Sequence, residues 1–113
     1  MRQIAALVLG SFAMPAASLS GADFIRYLEG DLGDQKFLIG YVGGVHNALR
    51  SYGAAGRCIN FPDRVDVQQI RDMAEAFIRE NPDVQTFSVH LTIEHVSGKA
   101  WGHRPLNEAK FCM

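Results

Sequence analysis

Histidine and carboxylate side chains can hold a metal ion or shuttle a proton, so they are weighed first. His90, Glu94, His95 and His103 form the one cluster of this kind in the chain. His90 and Glu94 stand four apart and would share a helix face. The run His-Leu-Thr-Ile-Glu-His follows neither HExxH nor HxxEH, the spacings that aim zinc ligands at one point. A third ligand would have to reach across a loop from His103. Surface or packing histidines explain the cluster more simply. Ser88 and Ser97 lie near His90 and His95, but no nucleophile elbow surrounds them. Asp63 with Asp66, and Asp72 with Glu75, are accounted for by helix capping and solvated charge. The expectation is therefore no catalytic residue, no metal and no cofactor.

Sulfur chemistry depends on the compartment, and the N-terminus speaks to that. Met1-Arg2-Gln3 is a short positive start, Ile4 to Ala13 is almost wholly apolar, and Pro15 with small residues follows. That order describes a secretory leader over residues 1–22. Ala16 and Ser18 suit a cut after Ser18, and Ser20 and Ala22 suit a cut after Ala22. The competing reading is an N-terminal core helix, disfavoured because the stretch has no polar face. After export, a helical domain over residues 23–113 would remain. A domain this small buries a modest share of its surface and often needs a covalent staple. Cys58 and Cys112 are an even pair in an oxidising compartment and predict a disulfide. Two free thiols are the alternative, and no CxxC or neighbouring Cys/His pair favours a metal.

The elements that must position these residues follow from periodicity. Asp23 to Glu29 predicts a short helix stopped by Gly30, and Asp31 to Asp34 an acidic turn. Phe37 to Tyr52 carries apolar residues at helical spacing. Gly53 to Arg64 is a loop. Val67 to Glu80 is the clearest helix, capped by Asp66, laced by Glu75 and Arg79, and ended by Asn81-Pro82. Thr86 to Val96 alternates like a strand but also fits a helical face. No partner strand is evident, so a helix is expected there. Gly98 to Pro105 reads as a loop. The fold class expected is all-α: a small bundle of about four helices stapled by one disulfide.

Two places invite contact with something else. Gly40, Gly43 and Gly44, beside Tyr41, interrupt the longest helix at about 1 kcal/mol each against alanine. That cost suggests a close backbone approach, within the monomer as the simpler reading or in a homodimer as the sharper one. Trp101, His103 and Arg104 sit in a glycine- and proline-rich stretch with the composition of a protein-binding hot spot. The plainer alternative is that Trp101 folds back onto the core. The formal net charge of -1, with 11 basic and 12 acidic residues, argues against a dedicated nucleic-acid binder.

The run Gly40-Tyr41-Val42-Gly43-Gly44-Val45, continuing to Ala48-Leu49, resembles the "GYV.GV..AL" helix of the Tai (type VI secretion amidase immunity) family. Matching features follow in order: Cys58 with Pro62, a helix opening near Val65 and Asp66, Asn81-Pro82 where the family commonly has His-Pro, and a terminal Phe111-Cys112. There are departures. Relatives often carry a further cysteine pair where this chain has Tyr27-Leu28 and Lys36-Phe37, and the proline before the last cysteine is absent. The resemblance implies an all-helical periplasmic protein, often dimeric, that blocks a peptidoglycan amidase. Those toxins are papain-like, and inhibition is by occlusion of the substrate groove, which needs no catalytic group in the inhibitor. Such a protein would bind no nucleic acid and would not insert in a membrane after processing. A periplasmic stress or chaperone-like binder, and a small enzyme or metal-binding protein, are the other functions weighed.

Overall fold

A computed structural model describes residues 19–107 and 111–112. Helix α1 spans Gly21–Leu28 and begins at a capping box. Ser20 Oγ accepts from the Asp23 N–H at 3.0 Å, and the Ser20 N–H donates to Asp23 Oδ2 at 3.2 Å. Arg26 donates to the same carboxylate at 2.7 Å. The Arg26 and Ser20 hydrogen bonds hold the Asp23 carboxyl below its ordinary pKa. The helix and its cap start ahead of Asp23, so the folded domain begins earlier than the periodicity suggested.

Helix α2 spans Leu32–Tyr52, and its cap is a second box in which Asp31 and Asp34 exchange hydrogen bonds. The acidic stretch read as a turn is thus the start of the longest helix. Leu38, Val42, His46 and Leu49 form its buried stripe. Gly53 ends it at φ 68°, ψ -159°, a conformation essentially confined to glycine. A Cβ there would press on the Arg57 carbonyl and stand 2.9 Å from Cys112 Sγ.

A tight reversal with positive φ at Ala55 and Gly56 leads into strand β1, Arg57–Ile59. Helix α3 is Val67–Glu80, capped by the Asp66 side chain on the Gln68 N–H at 2.9 Å. It buries Ile70, Ala74 and Ile78. Glu75 and Arg79 pair at 2.9 Å, and Arg79 also reaches Glu29 at 3.3 Å, tying α3 to the end of α1. A 3-10 turn over Pro82–Thr86 follows, and then helix α4, Val89–Trp101. Gly102, at φ 82°, turns the chain into strand β2, His103–Pro105.

Among the described residues the architecture is four helices around one core with a small two-stranded antiparallel ribbon at its edge. Phe24, Leu38, Val42, Ile70, Ala74, Ile78, Val89 and Ile93 are fully buried at the centre. Residues 86–96 supply most of a helix, as expected, but two other expectations need correction. The helix runs on to Trp101, through residues read as loop. The stretches Gly53 to Arg64 and Gly98 to Pro105 pair with one another, Cys58 opposite Arg104. Three-residue strands are too short for alternation to show; their partner backbone groups and the neighbouring disulfide stabilise them instead.

Cys58 and Cys112 are joined, with Cα atoms 5.5 Å apart. The Cys112 N–H donates to the Ser51 carbonyl at 2.9 Å, fixing the tail against the end of α2. Of the leader read over residues 1–22, residues 1–18 lie outside those described. No helix among the described residues is long and apolar enough to cross a membrane.

Candidate partner-binding surface

The α4–β2 junction places the three predicted contact residues in three different settings. Trp101 is half-buried, its ring 5.3 Å from that of Phe61, and it packs against the core. Arg104 is exposed along the strand, but its guanidinium is engaged. It donates to Asn60 Oδ1 at 3.2 Å and to the Cys112 carbonyl, clamping the disulfide-bonded tail to the ribbon. His103 is exposed, and its imidazole lies across the backbone of α4 at Gly98. A Cβ at Gly98 would come within 2.7 Å of His103 Nε2, so this buried glycine makes room for the ring against the helix.

His103 thereby walls a cleft of about 340 Å³ with Glu94, His95 and Lys99 of α4 and Arg57 of β1. Leu91 stands at its edge, 51% exposed. On the far side of Glu94 is a second groove of about 410 Å³, lined by Val45, Ala48, Leu49 and Tyr52 of α2, by Ala54, and by His90. The predicted cluster is therefore divided: Glu94, His95 and His103 share the first cleft, while His90 faces the second. His95 also sits beside Phe77, ring centres 4.8 Å apart. No group of three or more His, Cys, Asp or Glu residues among those described could hold a metal ion. Both cysteine sulfurs are in the disulfide, where neither is a thiolate nucleophile. The surface thus sets mixed charge beside an apolar groove.

The glycines of α2 occupy a different place from the simpler expectation. Among the described residues, an added Cβ at Gly40 or Gly44 would meet nothing within 4 Å, and at Gly43 only Val67 Cγ2 at 4.0 Å. Close packing against the described part of the monomer therefore does not account for them. Gly40 and Gly44 lie one turn apart on an exposed helix face that continues to Ala48. Tyr41 is half-buried, with Phe37 at 6.5 Å between ring centres, and burial raises its phenol pKa.

Three described polar residues, His46, Thr92 and Ser97, are buried where periodicity marks no polar site. His46 is 8% exposed, set edge-on to Phe61 at 4.6 Å between ring centres. Its Nε2 has no hydrogen-bond partner among the described residues. Burial, then the Arg50 charge, lower its pKa. Arg50 itself lies over the Phe61 ring, 5.4 Å from its centre, and donates to the Pro62 carbonyl at 2.6 Å. The stripe Leu38, Val42, His46 and Leu49 was the available signal, since His46 falls on its line.

No protein-family model, curated protein or solved structure matches this chain.

Proposed function

We propose that the chain is an exported immunity protein that binds a type VI secretion peptidoglycan amidase in the periplasm and occludes its active site. The observation that carries this reading is the ordered set of short matches to the Tai pattern, from Gly40-Tyr41-Val42-Gly43-Gly44-Val45 to Phe111-Cys112. The Cys58–Cys112 bridge supports the oxidising compartment that the reading requires. Occlusion asks for a rigid, protruding, chemically mixed surface. The ribbon edge around His103, with exposed Leu91 and the charged cleft beside it, is the candidate for that surface. The exposed Gly40–Gly44 face supports a homodimer as the second association.

The test is titration of the oxidised protein against the amidase effector encoded beside it. Hydrolysis of peptidoglycan peptide should fall linearly to zero at one inhibitor per enzyme, with nanomolar binding. Undiminished hydrolysis with no complex formed would reject the proposal.

A chaperone-like binder is the second reading. Exposed Leu32, Phe37, Tyr52, Phe87, Leu91 and Phe111 favour it, together with a buried histidine able to respond to acid. It requires that client binding rise on acidification from about pH 7 to about pH 4, a range that includes histidine titration. Association unchanged over that range removes it.

A further inference from the structure

We propose that a leader peptidase cuts the exported chain between Ser18 and Leu19, so that the mature protein begins at Leu19. This rests on the export reading and deepens it. Three bonds satisfy the need for small residues before the cut, after Ser18, after Ser20 and after Ala22, and a cut after Ser20 would already strip away Leu19 and the Ser20 cap of α1, leaving the first and last to be compared. The fold separates them. Leu19 packs its side chain on the core, and its carbonyl accepts from the Val89 N–H at 2.7 Å. Ser20 pairs with Ser88 and caps α1. The Gly21 N–H donates to the Phe87 carbonyl at 3.0 Å. Gly21 is also buried, and a Cβ there would stand 3.0 Å from Gln85 Cα and the Val84 carbonyl oxygen. A segment fitted this closely belongs to the domain.

A cut after Ala22 removes all four residues. The Val89 N–H and the Phe87 carbonyl would then lose their partners, the Asp23 nitrogen would become the terminal amine, and α1 would lose its cap and first two residues. A cut after Ser18 leaves every one of those bonds in place. Water adds across the Ser18–Leu19 peptide bond, Ser18 departs on the leader as a carboxylate, and the Leu19 nitrogen becomes a protonated amine. Leu19 is tied in by its carbonyl and side chain, which this hydrolysis does not touch. The bond is also the nearer of the two to the end of the apolar stretch at Ala13.

The full chain is expressed in a bacterium with a periplasm, fractionated, and read by intact mass and N-terminal sequencing. The result expected is periplasmic protein beginning at Leu19. Ser18→Tyr should abolish that terminus, whereas Ala22→Leu, at an exposed helix position, should leave it unchanged. Periplasmic protein beginning at Asp23 overturns the cut site, and cytoplasmic protein retaining Met1 overturns export with it. Neither readout involves an amidase, so a failed titration above leaves this result independent.

Discussion

At the scale of single residues, His46 makes stability depend on pH. Burial and the Arg50 charge lower its pKa from the ordinary 6.5. The unfolded chain therefore binds the proton first as pH falls. Stability is full above about pH 6.5, declines below it by at most about 1.4 kcal/mol per pH unit, and levels off beneath the folded-state pKa. Urea denaturation across this range should show that limb, and His46→Leu should flatten it. Gly53 makes the second residue-scale prediction. Gly53→Ala places a side chain in a glycine-only conformation and against the Arg57 carbonyl. A loss of about 1–3 kcal/mol, or more, is expected in the same assay.

At the scale of elements, α2 should respond to alanine in the opposite direction. Gly40→Ala and Gly44→Ala meet open space, so each should stabilise the monomer by about 1 kcal/mol through helix propensity. If the exposed face pairs with a second copy, sedimentation should show weaker self-association in the more stable variants. The helices themselves were legible where local chemistry and burial agree. Val67–Glu80 was read to the residue, because the Asp66 cap, the Ile70–Ala74–Ile78 stripe and the Asn81-Pro82 stop all coincide. Asp31 was misread as part of a turn because a carboxylate that caps a helix looks, in sequence, like one that makes a turn. The ribbon was hidden for another reason: Cys58 opposite Arg104 is a pairing across 46 positions, fixed by tertiary contacts and the tail clamp. The surface was legible in part. Glu94, His95 and His103 do share a cleft, but Gly98, which allows His103 to lie there, looked like ordinary loop glycine.

At the scale of the whole molecule, a small core is supplemented by one covalent link. The bridged residues are 54 apart, and closing such a loop in the unfolded chain is worth about 4 kcal/mol in the chain-entropy model. Cys58→Ser with Cys112→Ser, or reduction in urea, should lower the denaturation midpoint accordingly; an unmoved midpoint would show that the link contributes nothing. Trp101 adds a consequence of a practical kind. It is the chain's single tryptophan, and it rests on Phe61, the ring that His46 meets edge-on, at the point where α4 gives way to the ribbon. The molecule thus carries an intrinsic fluorophore at the seam joining its helices to its stapled edge, and detachment of that edge should register as a red-shifted emission before the far-ultraviolet helical signal is lost.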